Sequence, residues 1–235
     1  MYPDLNSQSA KNFERAKAVL PGGNSSSTIE LKPHPIYLTH GLGSKVFDVD
    51  GNAYLDFINN YTSLIHGHAF PAVTEAVTKQ LSLGTAYSFG TVQEIEHAEL
   101  ICGRVPGFDK IRFCNSGSEA VMNAIKAARA FTDRPKIAKC EGAYHGSYDF
   151  AEVSLSTGPE DWGQNEPVPK AYSKGTPQGV LDDVVVVPYH DEVAAEQLLK
   201  RNAGDLAAVV YDPVSSRVGM ISPTKAYFEM LVDFC

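Results

Sequence analysis

The 235-residue chain predicts an α/β fold: a helix and a small antiparallel sheet, followed by part of a mainly parallel sheet covered by helices. Three observations carry this. From about Pro71 onward, helical stretches alternate with short strand-like runs. Those runs, such as Val184 to Val187, are almost entirely apolar and β-branched, as strands buried on both faces must be. Before residue 60 the pattern differs, with short alternating runs placed around Asp50-Gly51, a dipeptide that favours a tight antiparallel turn. The expected division is a segment 1–60, part of a small domain, and a segment 61–235, the N-terminal part of a large domain.

Residues 6–19 have helical periodicity, with Asn6 or Ser7 as cap and Pro21-Gly22-Gly23 as stop. Strands are expected at Pro35 to Thr39, Lys45 to Val49 and Ala53 to Phe57. Pro71 suits the first position of a helix and Gly84 follows its end. A second helix covers Gln93 to Arg104. Beyond it come a strand at Lys110 to Cys114, a helix at Ser116 to Phe131 and a strand at Lys136 to Cys140. Strands at Val184 to Val187 and Ala207 to Tyr211 flank a helix from about Glu192 to Arg201. The Gly-, Pro- and Ser-rich stretch from Ser154 to Gly179 reads as a long irregular insertion, a length usually associated with function or mobility. Thr224 to Cys235 reads as a helix without a closing glycine or cationic turn. With about four parallel strands in hand, the last would be an open apolar edge, so the chain is expected to stop inside a fold.

Composition narrows the function classes. A formal charge of −8 with no Lys/Arg-rich stripe argues against nucleic acid as partner. No apolar run approaches the length of a membrane helix, and the N-terminus lacks a signal pattern. Cys102, Cys114, Cys140 and Cys235 show no metal-type spacing and read as reduced thiols of a cytoplasmic protein.

The segment that carries chemistry is Asn115-Ser116-Gly117-Ser118, placed after a strand and at the start of a helix. Such a turn presents free backbone N–H groups, two hydroxyls and the positive end of a helix dipole to one spot, which suits a phosphate. A plain helix cap at Ser116 is the other reading. No Gly-Lys-Ser/Thr follows, so this is not a nucleotide P-loop. Glu141-Gly142-Ala143-Tyr144-His145-Gly146 follows the next strand. In a parallel sheet both segments reach the same edge, and an aromatic flanked by glycines there can lie flat on a planar heterocycle. A phosphorylated aromatic ligand satisfies both. A metal site drawn from His66, His68, His145, Asp149, His190 and Asp191 is the weaker alternative, because those residues are scattered.

In order along the chain, Leu20-Pro21-Gly22-Gly23-Asn24-Ser25, Phe47-Asp48-Val49-Asp50-Gly51, Gly67 to Val73, Asn115 to Ala120, Lys126 to Arg129, Lys136 to Gly146 and Asp212-Pro213-Val214 resemble the landmarks of the class III, glutamate-1-semialdehyde aminomutase-like aminotransferases. The resemblance covers essentially the whole chain. It implies fold type I, a homodimer, and pyridoxal 5′-phosphate. It also implies amino-group transfer from a small-molecule donor to a carbonyl acceptor, through an aldimine and pyridoxamine cycle. Carried over position by position, Ser116, Gly117 and Ser118 would hold the phosphate and Tyr144 would cover the ring with His145 beside it. Asp212 would stand where the family generally has glutamate, and Tyr61 and Ser26 would lie near the substrate.

Two departures matter. Family members commonly place an arginine soon after the Pro-Gly-Gly segment to grip a substrate carboxylate, whereas here Asn24-Ser25-Ser26-Ser27-Thr28 offers only neutral groups. Arg217 is another source of charge, or simply an exposed loop residue. The family's Schiff-base lysine and the aspartate that pairs with the pyridine nitrogen are expected beyond Cys235, so the chain alone is expected to be inactive. A non-catalytic half-protein that binds a vitamer and needs a partner chain is the alternative reading.

Overall fold

The computed structural model describes residues 2–161, 163 and 166–235, which form two compact units, Met1–His97 and Ala98–Cys235.

The first unit opens with α1 (Gln8–Lys17). Its N-terminus is capped twice. Ser7 Oγ accepts the Ala10 N–H at 3.1 Å, and the Asp50 carboxylate accepts the N–H groups of Gln8 and Ser9 at 2.7 and 3.1 Å. Asp50 sits in the turn between β2 and β3, so that turn fastens the helix to the small sheet. The sheet is an antiparallel meander of β1 (Leu38–Leu42), β2 (Lys45–Asp48) and β3 (Ala53–Leu55). β1 lies further along the chain than its apolar pattern predicts. Leu42 pairs with Lys45, and the intervening turn uses Gly43 at φ +56°, so the Gly-Leu-Gly stretch completes a hairpin instead of ending a strand.

The one-turn element α2 (Asn59–Thr62) is left-handed, with φ between +48° and +68° at all four residues. Asp56 anchors it by accepting the Ile58 and Asn59 N–H groups at 3.0 and 2.9 Å. The same carboxylate accepts from His68 Nε2 at 2.7 Å, and His68 exchanges backbone bonds with Gly43. These bonds tie the chain past residue 60 back onto the small sheet, and the first compact unit accordingly runs past residue 60, through α3 (Pro71–Leu81) and into α4 (Val92–Arg104).

The second unit holds α5 (Gly117–Thr132), β4 (Lys136–Cys140), α6 (Asp149–Glu152), α7 (Gln178–Asp182), β5 (Val184–Val187), α8 (Glu192–Asn202), β6 (Leu206–Val210) and α9 (Lys225–Phe234). Its sheet is parallel, in the order β5-β4-β6. Alternation along the strands sends residues to two cores. Ala138, Cys140, Val185 and Val187 pack with Leu198 and Leu199 of α8 and Tyr227 and Leu231 of α9. Ile137, Val184 and Val186 pack with Ile125 of α5, Val153 and Val180. Helices thus cover both faces, which explains the continuous apolar strands.

The strand expected at Lys110 to Cys114 does not form. Ile111 and Phe113 are more buried than Arg112, so the alternation survives. Alternation selects a face but does not supply a neighbour, and Lys110 to Cys114 joins none of the three strands of the sheet β5-β4-β6. Three parallel strands, not four, are present among the described residues. The Ser154 to Gly179 insertion contains one 3-10 turn, Pro159–Asp161, and the start of α7; Trp162, Gln164 and Asn165 within it lie outside the described residues.

Candidate active site

Ser116 has extended backbone angles and its Oγ accepts the Glu119 N–H at 3.1 Å, while Glu119 Oε2 accepts the Asn115 N–H at 2.9 Å. This is a reciprocal cap, as the blander reading requires. It does not exclude the other, because the hydroxyl serves as an acceptor and its own proton remains to donate. Ser118 is in the same position: its Oγ accepts the Ser147 N–H at 2.9 Å and keeps its O–H. A Cβ added at Gly117 would meet nothing within 4 Å, so the face of the first turn is open to an approaching group. Two unspent hydroxyl protons and first-turn amides around an open glycine form a donor set that matches phosphate oxygens.

The loop after β4 is pinned at both ends by glycines. A Cβ on Gly146 would lie 2.6 Å from Ser118 Cα and 2.6 Å from its Oγ, so only glycine lets the loop reach the start of α5. A Cβ on Gly142 would lie 2.7 Å from Val218 Cγ1, which fixes the loop against the 3-10 turn Ser216–Val218 after β6. Both glycines have positive φ, +73° at Gly142 and +89° at Gly146. Between them Tyr144 is 51% exposed and has no ring partner among the described residues, leaving its face free.

His145 follows, with Nε2 buried and without a hydrogen-bond partner among the described residues. Burial, reinforced by the Lys139 charge and opposed by Asp212, pushes it down to about 4, so it is neutral at physiological pH. Asp212 follows β6. Its Oδ1 accepts the Val214 N–H at 3.2 Å and its backbone oxygen accepts from the Tyr189 hydroxyl at 2.6 Å. Ser116, Gly117, Ser118, Tyr144, His145 and Asp212 therefore belong to one unit, on the first turn of α5 and on the loops that leave the C-terminal ends of β4 and β6. Tyr61 and Ser26 belong to the other unit. Tyr61 lies in the left-handed α2 and is 62% exposed, and exposed Ser26 shares a 2.7 Å hydrogen bond with the Thr28 hydroxyl.

Several polar residues at this sheet escape a reading of spacing alone. Lys139 is completely buried, and its Nζ donates to Val153 O at 2.6 Å. Desolvation pushes it down to about 8. A lysine within a strand gives no hint of burial unless its four-residue surroundings are recognised as a two-faced core. Tyr227 donates to Pro188 O at 2.9 Å and lies 3.6 Å from Cys140 Sγ. Burial pushes Cys140 up to about 11. Tyr211 Oη, Ser215 Oγ and His190 Nε2 are buried without hydrogen-bond partners among the described residues. Of the scattered histidines, His68 is bound to Asp56 and His66 stacks on Phe70 at 4.7 Å.

The family profile for aminotransferase class III matches residues 27–235. The chain is 39% identical over 230 residues to a glutamate-1-semialdehyde 2,1-aminomutase from Methanothermobacter thermautotrophicus, covering 96% of this chain and 52% of that protein. It superposes with a TM-score of 0.93 on an omega-transaminase from Sphaerobacter thermophilus, at 48% identity, covering 99% of this chain and 53% of the other. A further solved structure, a transaminase with PLP bound, gives a TM-score of 0.90 at 42% identity, covering 97% and 52%. The chain spans about half the length of the curated relatives it matches. Its helix-flanked parallel sheet is that of the fold type I transferases, and the chain belongs to the class III aminotransferase family.

Proposed function

We propose that this chain carries the cofactor-phosphate site of a pyridoxal 5′-phosphate-dependent aminotransferase or aminomutase. One observation supports this most: Gly146 brings the Tyr144 loop against Ser118, so that a ring-covering aromatic and an anion-binding first turn are built into one unit. Ser116, Gly117 and Ser118 would hold the phosphate, Tyr144 the ring, with neutral His145 and the Asp212 carboxylate beside it. When bound, pyridoxal phosphate supplies an electron-withdrawing ring that stabilises negative charge at the carbon bearing the amino group. The chain's own residues contribute binding and orientation. The two serine hydroxyls donate to phosphate oxygens while their lone pairs stay with Glu119 and Ser147, so the cradle is set before the anion arrives.

Tyr61 and Ser26 are the proposed substrate contacts. A small-molecule amino donor and a carbonyl acceptor are the proposed partners, in a cytoplasmic homodimer. The small and large domains are proposed to divide near residue 60. Lys139, the lysine closest in sequence to the ring loop, is spent on Val153 O inside the core. On this reading the chain alone binds the cofactor without turning substrate over.

The test is a fluorescence and 31P NMR titration of the purified chain with pyridoxal phosphate and with phosphate-free pyridoxal. The phosphate form should bind at least about tenfold more tightly, the worth of one charge-assisted hydrogen bond, and Ser118→Ala should erode that margin. Equal binding of both vitamers sinks the proposal. After borohydride treatment, mass spectrometry should find no single lysine carrying the cofactor's mass.

A further inference from the structure

A cavity of about 430 Å³ opens beside the ring loop, within the second unit. Its wall includes Glu141, Gly142, Ser156, Thr157, Tyr189 and Arg217. The volume falls within the range of small-molecule sites. Its charges are unusual. Glu141 Oε1 accepts the Thr157 hydroxyl at 3.0 Å, which orients the carboxylate without neutralising it. Arg217 has no hydrogen bond or ion pair among the described residues, whereas Arg129, Arg134 and Arg201 are spent on Pro135 O, Leu206 O and Glu166. The cavity thus holds a cation and an anion that do not satisfy each other. The Gly142–Val218 contact fixes their relative placement, because it joins the loop carrying Glu141 to the turn carrying Arg217.

We propose that this cavity is a carboxylate subsite in which Arg217 grips the carboxylate of a small ligand. Glu141, with the hydroxyls of Ser156 and Thr157, receives a hydrogen-bond donor at the ligand's other end. The planar guanidinium matches a carboxylate with two parallel hydrogen bonds, which a lysine could not do. Glu141 sets the selectivity. A ligand ending in ammonium or hydroxyl meets an acceptor there, and a dicarboxylate meets a like charge. The ligand class is therefore an amino or hydroxy monocarboxylate. That this ligand is the amino donor or its carbonyl counterpart rests on the aminotransferase reading above.

The probes are 4-aminobutyrate and succinate, of matched chain length, titrated into the purified chain by calorimetry and ligand-observed NMR. Binding of 4-aminobutyrate should exceed that of succinate by about tenfold. Arg217→Gln should abolish both, and Glu141→Gln should close the gap between them. Unchanged 4-aminobutyrate binding in Arg217→Gln, or tighter binding of succinate to the unmodified chain, overturns the subsite. A parallel titration with pyridoxal phosphate separates the two claims. A chain that takes pyridoxal phosphate but not 4-aminobutyrate overturns the subsite and leaves the cofactor reading standing. Arg217-dependent binding in a chain that ignores pyridoxal phosphate supports the subsite and defeats the cofactor reading.

Discussion

Lys139 places a cation inside the sheet with one backbone carbonyl as its partner, directly before Cys140, whose thiol is buried on the opposite face. The two neighbours bias stability in opposite directions. Lys139 titrates near 8 in the folded chain against 10.5 ordinarily, so between those values the unfolded chain holds more protons and stability rises with pH. The full swing is about 3 kcal/mol. Cys140 titrates near 11 against 9 ordinarily, so between those values the folded chain holds the extra proton and stability falls by a comparable amount. The intact chain should therefore gain stability up to about pH 9 and look nearly flat only between about pH 9 and 10, where the two windows overlap. Above about pH 10 the raised Tyr211 and Tyr227 hydroxyls lower it. Denaturant melts of Lys139→Met should expose the fall from Cys140, and Cys140→Ala should expose the rise from Lys139. Parallel curves for the three proteins would count against burial of both groups.

His145 acts at the other end of the scale. Held at about 4 when folded against 6.5 ordinarily, it favours the unfolded chain as pH falls through that window, and His145→Gln should remove this acid sensitivity. Gly146 makes the bluntest residue-scale prediction. Alanine there must displace Ser118 and adopt φ +89°, which should cost about 1–3 kcal/mol in urea melts and weaken pyridoxal phosphate binding.

At the scale of elements, the proposed cofactor site would give one residue of α5 two jobs. Ser116 Oγ caps the helix as an acceptor and keeps its proton to donate, so Ser116→Ala should cost about 1 kcal/mol of stability and weaken phosphate binding as well. Circular-dichroism melts and the vitamer titration read the two effects separately, and a stability loss alone would leave Ser116 as a cap and nothing more. Ser116, Gly117 and Tyr144 stood out because turn chemistry is local: a hydroxyl and a glycine mark the start of α5, and the aromatic follows the end of β4 within a few residues. β4, β5 and α8 were legible for a similar reason, since their apolar runs are bounded by turn residues or a cap such as Asp191, which accepts the Ala194 N–H. What escaped depends on distant partners. Lys110 to Cys114 has strand-like alternation but joins none of the strands of the parallel sheet. β1 extends through Gly41 because β2 is there to receive it. Lys139 looks like any strand lysine until Val153 closes over it. The left-handed turn at Asn59–Thr62 is equally silent in sequence, because its anchor, Asp56, is shared with His68 from beyond the turn.

Across the whole molecule, the first unit leaves an apolar surface uncovered. Val73, Val77 and Leu81 follow one another at four-residue steps on α3, and all three are exposed; Val92 and Ile95 of α4 are exposed as well. No residue of α3 is buried, although its spacing is that of a helix with one face made for packing. Each such side chain removed from water is worth about 1.5–3 kcal/mol, so a stripe of this kind drives association. Among the described residues no helix is long and apolar enough to cross a membrane, and the formal charge of −8 disfavours indiscriminate aggregation through electrostatic repulsion. A specific protein surface is the fitting occupant, and a second copy of this chain is the one the homodimer proposal names. Sedimentation velocity should then show a species heavier than the monomer that grows with concentration. Val77→Glu, which places a charge in the middle of the α3 stripe on a side chain that supports no core, should return the chain to monomer without lowering its melting temperature. If the unmodified chain stays monomeric at every concentration reached, a second copy does not cover α3. If Val77→Glu instead lowers the melting temperature and leaves the heavier species intact, the stripe packs within one chain and the dimer must use another surface.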